Sequence, residues 1–199
     1  GSGVAGPATH IETYLSETVE VAKAIDRIAI KSLADHLCAL RERQGRLFIA
    51  GLGGSAANAS HAANDFRKLC GIDARCLSEN VAELTARAND EGWNSIFSGA
   101  MLNSNANQND TLLVLSVGGG VGVVSTPIIT AVACADMLGM PIIGILGRDG
   151  GYTKHYALYC VIVPIVESSR VTPHTEGFQS VILHCLVSHP KLQLSPTKW

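Results

Sequence analysis

Apolar residues recur through the first forty positions at Ile11, Leu15, Val19, Ala22, Ile25, Ile28, Leu33, Leu37 and Leu40, a spacing that returns to one face of a helix. The pattern predicts one long leading helix over 8–43. A helix of that length ahead of the first strand needs a surface to lean on, and a partner subunit is one option. The period then changes. Short apolar runs at 46–50, 74–78, 112–116, 141–146 and 160–164 predict strands. Between them, helical spacing predicts helices at 56–70, 81–88, 95–105 and 124–138, then a last helix at 175–188 and a polar tail over 190–199. Strands apolar on both faces and alternating with helices imply a parallel sheet covered on both sides. The expected architecture is therefore α/β: a doubly wound, five-stranded parallel sheet in one domain over 1–199. In such sheets ligands bind at the carboxyl ends of the strands, where strand order reverses.

Composition narrows the function. Hydrophobic residues make up 47% of the 199 positions and charged residues 16%, too apolar for disorder and enough for a substantial core. Fifteen Lys and Arg stand against 17 Asp and Glu, and aromatics are 5%. Without a basic excess or stacking platforms, nucleic acid is not an expected partner. The longest apolar stretch, around 121–135, is broken by Ser125, Thr126, Pro127 and Thr130, so no membrane span is expected. Gly1-Ser2-Gly3 reads as an expression scar, with no signal peptide after it and residues 1–7 tag-like or disordered. The six cysteines (Cys38, Cys70, Cys76, Cys134, Cys160, Cys185) form no C-x-x-C pair and read as reduced, buried thiols of a cytoplasmic protein.

Two predicted strands end in glycine-rich turns that open helices: Gly51-Leu52-Gly53-Gly54-Ser55 and Ser116-Val117-Gly118-Gly119-Gly120. Unpaired backbone N–H groups at such turns suit a phosphate or carboxylate. The first turn also reads as G-x-G-x-x-A, but the acid expected about twenty residues on in a dinucleotide site is missing, and a plain structural turn is a further alternative. His61 and Asp65 stand at i, i+4, on one face of the helix that follows. That spacing suits a shared divalent metal, general acid–base work, or a surface ion pair. Glu176 and His184 are eight residues apart on the last helix, about 12 Å along its axis. They share a site only if Glu176 lies at the irregular start of the helix or the two come from different subunits.

Together these residues carry a resemblance. The run from Gly51 through Ser55, Asn58, His61 and Asp65 resembles the first loop and helix of the sugar isomerase (SIS) family, and more narrowly of its phosphoheptose isomerases. Asn89-Asp90-Glu91-Gly92 through Ile96-Phe97 resembles that family's ND-x-G-x-x-x-IF segment, Asp110–Ser116 its third-strand entry, and Gly147-Arg148-Asp149-Gly150-Gly151 its GKDGG turn. The resemblance covers nearly the whole chain. It implies a flavodoxin-like SIS sheet, a homotetramer with active sites between subunits, and interconversion of a ketose phosphate and an aldose phosphate through an enediol. The expected substrate is sedoheptulose 7-phosphate, converted to glycero-manno-heptose 7-phosphate.

Carried over residue by residue, the resemblance implies a zinc site of His61, Asp65, Glu176 and His184, with Asp65 as base, His184 as proton carrier and Glu176 as reserve base. It implies phosphate contacts from Gly53, Gly54, Ser55, Ser116, Gly118, Gly119 and Gly120. Asn89, Asp90 and Glu176 are expected to bind sugar hydroxyls. Two family residues differ here: Asp65 stands for Glu, and Glu176 for Gln. The family's Ser-Thr-Ser-Gly-Asn-Ser phosphate loop is replaced by Ser116-Val117-Gly118-Gly119-Gly120-Val121, which keeps the amides and loses later hydroxyls. A SIS enzyme for another anionic sugar is one alternative. A non-catalytic SIS binding protein of the replication-initiator-associating type, and a nicotinamide enzyme, are the others.

Overall fold

The structure is a computed structural model that describes residues 6–196; the Gly1-Ser2-Gly3 segment lies outside the described residues. Five strands form one all-parallel sheet: β1 (Arg46–Gly51), β2 (Asp73–Cys76), β3 (Thr111–Ser116), β4 (Ile142–Leu146) and β5 (Tyr159–Ile162). Their order is β2-β1-β3-β4-β5. Strand order reverses between β1 and β3, the point where doubly wound sheets open a ligand crevice. The central strands β3 and β4 are buried at every position, and β1 at all but its first. The edge strands are not: β2 alternates exposed and buried, with Asp73 and Arg75 outward, and β5 buries only Val161. Apolarity on both faces therefore holds for the middle of the sheet alone.

The leading helical segment is divided. α1 (Pro7–Ala24) ends at Ile25, and α2 (Arg27–Glu42) starts after Asp26, whose carboxylate accepts the Ala29 N–H at 3.0 Å. An N-cap acid satisfies a donor that the helix start leaves open, so the break is local and chemical, although apolar spacing runs through it. Pro7 already belongs to α1. Strand β1 then leads into α3 (Gly54–Cys70); α4 (Val81–Glu91) and α5 (Ile96–Asn103) link β2 to β3; α6 (Thr126–Met137) follows β3. The turn after β4 contains a six-residue helix, α7 (Gly151–Tyr156), too short for periodicity to reveal, and α8 (Val171–Val187) closes the fold.

Two apolar clusters cover the two faces of the sheet. One joins α2, α3 and α8 through Leu37, Phe66 and Ile182; the other joins α5 and α6 through Phe97 and Ile128. Residues after α8 are not a loose polar tail: Leu192 is buried, and the Leu194 N–H donates to the Leu69 carbonyl at 2.8 Å. All six cysteines are free, but only Cys70, Cys76 and Cys134 are buried, and Cys185 is exposed.

Candidate functional site

Chain direction places both glycine turns at one end of the sheet, on either side of the β1/β3 reversal. Between them opens a cavity of about 560 Å³. Gly53, Gly54 and Ser55 form one wall, and Ser116, Gly118 and Gly120 another. Gly119 is turned away. Its N–H donates to Ser116 Oγ at 2.9 Å, and its carbonyl accepts from the Thr153 N–H and hydroxyl. It sits in left-handed backbone against the Gly150 carbonyl, where a side chain would collide, so glycine is required here for close packing. The N–H groups of Gly118 and Gly120 have no hydrogen-bond partner among the described residues.

Two ionisable side chains face this cavity, Glu176 and Arg148. Glu176 is six positions into α8, well inside the helix, not at an irregular start. Its carboxylate lies over Gly54 at the head of α3, so close that a β-carbon there would collide with it. The backbone carbonyl of Glu176 accepts from Asn58 Nδ2 at 3.0 Å, while its carboxylate has no hydrogen-bond or ion-pair partner among the described residues. A carboxylate at a helix N-terminus is favoured by the peptide dipoles.

A second cluster lies further along the same α3–α8 seam. His61 Nε2 is 3.1 Å from Asp65 Oδ2, and His184 Nε2 is 3.7 Å from the same oxygen. The two imidazole rings stand edge-on, 5.0 Å between centres. One donor atom from each of the three residues lies within 4.8 Å of the others. Asp65 is buried and His61 exposed, and the crevice beside them holds about 10 Å³, about the room of one water. Two imidazoles and a carboxylate converging on so small a space suit a divalent cation, as in zinc sites with three protein ligands. Glu176 is not part of this group: it lies eight positions before His184, as the spacing suggested, and both keep their places in an unbroken α8. Thus three of the four expected metal ligands converge, and the fourth faces the cavity.

The cavity and the histidine cluster are joined by Gln179, which is fully buried. Its Oε1 accepts from Ser55 Oγ at 3.1 Å and Asn58 Nδ2 at 3.0 Å, and its Nε2 donates to the Ile145 carbonyl at 3.4 Å. Ser55 is thereby tied inward, its proton already used. Sequence reading missed Gln179, although an amide among Phe178, Ile182, Leu183 and Leu186 on the apolar stripe of α8 was the available signal. It also missed Arg148 as a cavity residue. Asn89 and Asp90, in contrast, are not brought to the cavity: they lie in the last turn of α4, exposed, with Asn89 Nδ2 donating to Asp90 Oδ1 at 2.8 Å.

The comparisons with known proteins agree with this geometry. A family model described as SIS domain matches residues 12–147. A Mycobacterium bovis protein named phosphoheptose isomerase is 31% identical over 188 residues, covering 89% of this chain and 91% of that protein. A Helicobacter pylori protein of the same name is 34% identical over 152 residues, 73% of each chain. The solved structure of a phosphoheptose isomerase from Francisella tularensis superposes with a TM-score of 0.80 at 25% identity, covering 92% of this chain and 97% of that one.

Proposed function

The chain belongs to the SIS-domain family, with phosphoheptose isomerases as its relatives, and from that premise we propose that it is a phosphosugar isomerase converting sedoheptulose 7-phosphate to glycero-manno-heptose 7-phosphate through an enediol. The observation that carries the reading is the cavity at the β1/β3 reversal, which sets an unpartnered carboxylate, Glu176, opposite a glycine loop with unpartnered amides.

The chemistry asks for a base beside a polarised carbonyl, because a C–H next to a ketone is too weak an acid for a free carboxylate. Two carboxylates are candidates. Asp65 Oδ2 is held between two imidazoles in a crevice too small for a sugar. Glu176 faces open space. Glu176 is therefore the proposed base: it takes the proton from the carbon bearing the hydroxyl and returns it to the former carbonyl carbon, while the hydroxyl proton leaves to solvent and the former carbonyl oxygen takes one from solvent, which exchanges ketose for aldose. The amides of Gly118 and Gly120 and the Ser116 hydroxyl hold the anionic end. His61, Asp65 and His184 would hold zinc, which when bound supplies Lewis-acid polarisation of a sugar oxygen. With zinc bound, His184 Nε2 would be a ligand atom and not free for the proton-carrier role expected of it.

A homotetramer with sites between subunits is proposed with the same reading. It is supported by the row Ile11, Leu15 and Val19 on α1, which is more than half exposed at each position. Free cysteines, and the absence among the described residues of any helix long and apolar enough to cross a membrane, support a cytoplasmic setting.

Proton NMR of sedoheptulose 7-phosphate with zinc-loaded protein in heavy water tests the proposal. Deuterium entering beside the carbonyl, with an aldose signal growing in, is expected. No exchange from a folded, metal-replete sample would move the chain to another anionic sugar or to a non-catalytic role.

A further inference from the structure

We propose that Arg148 is the charge partner of the substrate's anionic end and the residue by which the cavity selects phosphorylated over neutral sugars. The inference rests on the isomerase reading for the sugar, and on the cavity alone for the anion.

The chain has nine arginines. Eight of them donate hydrogen bonds to carboxylates, carbonyls or a hydroxyl: Arg27, Arg41, Arg43 and Arg46 around α2 and β1, Arg67 and Arg75 near β2, Arg87 on α4, and Arg170 before α8. Arg148 alone has no partner among the described residues. It is also the one cation among the residues that line the 560 Å³ cavity. Arg148 is exposed on the cavity wall, and a guanidinium offers five donors in a planar fork that matches a phosphate, so it is available to an anion that enters the site.

Its backbone makes the same point. Arg148 has φ +47, a left-handed conformation that costs energy for any residue with a β-carbon and persists where the surroundings impose it. The surroundings do impose it. The preceding Gly147 N–H donates to the Ser116 and Val117 carbonyls at 3.3 and 3.0 Å, and the Gly150 N–H closes the turn on Gly147 at 2.9 Å. Beyond the turn, the Tyr152 and Thr153 N–H groups hold the Gly120 and Gly119 carbonyls at 2.8 and 3.0 Å. The arginine turn and the glycine loop are thus one hydrogen-bonded unit. On it Arg148 and the unpartnered amides of Gly118 and Gly120 line the same cavity, and the Glu176 carboxylate lines it from α8. Such a cavity is polarised: an anion belongs at the arginine turn and the carbonyl carbon near Glu176. The cation also stands in for the hydroxyls that this loop lacks.

The test uses the full chain and inorganic phosphate as the probe, followed by calorimetry and by the phosphate-induced melting shift, alongside turnover of sedoheptulose 7-phosphate. Arg148→Gln is expected to weaken phosphate binding about 10- to 100-fold, the scale of losing a charge-assisted hydrogen bond. KM should rise by a similar factor while kcat changes little. Arg148→Lys should keep most of the phosphate affinity. Arg148→Gly should lose it as Gln does, yet melt higher than the parent, because glycine relieves the left-handed strain. That opposition of signs separates a recognition role from a structural one and covers the case in which Gln folds poorly. Phosphate affinity unchanged in Arg148→Gln and Arg148→Gly, or no phosphate binding by the parent, overturns the proposal. Phosphate binding that depends on Arg148 in a protein that turns over no sugar phosphate would leave the anion site standing and remove the isomerase reading.

Discussion

Where the strands begin, Asp110 is buried and accepts from the Arg46 N–H at 2.8 Å, the Arg46 guanidinium at 2.8 and 3.2 Å, and the Asn107 N–H at 3.0 Å. The same guanidinium also closes off the Ser104 and Asn105 carbonyls. Where the strands finish, Glu176 and Arg148 face a cavity with no partner among the described residues. One end thus spends its carboxylate and guanidinium on each other and on the backbone. The other keeps both groups without protein partners around one cavity. Burial of a polar group is tolerated only when its hydrogen bonds are made, so the first arrangement is architecture. In the second, Arg148 is exposed and Glu176 partly so, which leaves both groups open to the ligand proposed above.

The contrast breaks most visibly at Glu176. Glu176→Gln removes the proposed base at constant shape and should lower turnover about 10²- to 10⁴-fold with little change in melting temperature; equal activity would return the base to Asp65. Asp110→Ala should do the reverse. Arg46 would be left half-buried without its anion, and unfolding titrations should show a loss of about 3–5 kcal/mol, with turnover per folded molecule retained. Burial pushes the Asp110 carboxyl up, but the hydrogen bonds from Arg46 and Asn107 outweigh it and hold it below the ordinary carboxylate value. Its contribution is therefore present at neutral pH and lost as pH falls through the acid range.

A third effect comes from His36, buried on α2 with Nε2 2.9 Å from the Thr111 hydroxyl. Burial, helped by the nearby Arg43 charge, lowers its pKa from 6.5 to about 4. The unfolded chain then binds the extra proton first. Stability should be complete above pH 6.5 and fall by about 3 kcal/mol as pH drops to about 4, and His36→Gln should flatten that part of the profile. Gln179 sharpens the comparison, being a satisfied group at the unsatisfied end. Gln179→Leu should cost about 1–3 kcal/mol of stability and weaken zinc binding measured by calorimetry, since Asn58 and Ser55 lose their common acceptor. The smallest effect is expected at Asp90, where Asp90→Ala should stay within about 0.5 kcal/mol and leave turnover unchanged. A clear loss of turnover there would place this exposed segment in a site shared between subunits.

Much of the fold was legible. Periodicity located all five strands within two residues at each end, and the two glycine turns marked the sheet end that carries the cavity. It misled where a local contact overrode the pattern. Asp26 caps a new helix in the middle of continuous apolar spacing, and Leu192 returns to the core from a segment that reads as polar. The site was legible only in part. His61 and Asp65 are joined by helical spacing, so sequence could pair them. His184 reaches them only because α3 packs on α8.

The sequence by itself determined the parallel α/β class, the two anion-suited turns and the i, i+4 metal-capable pair, because each depends on residues close in the chain. Only the tertiary structure decided that Glu176 faces the cavity and not the histidines, that Gly119 is turned inward while Arg148 is left bare, and that Gln179 binds the two halves of the site. These outcomes depend on how α3, α8 and the β4 turn pack together. Whether a polar group is satisfied is settled by neighbours more than a hundred residues away, such as Ser55 and Gln179, and no local pattern records that.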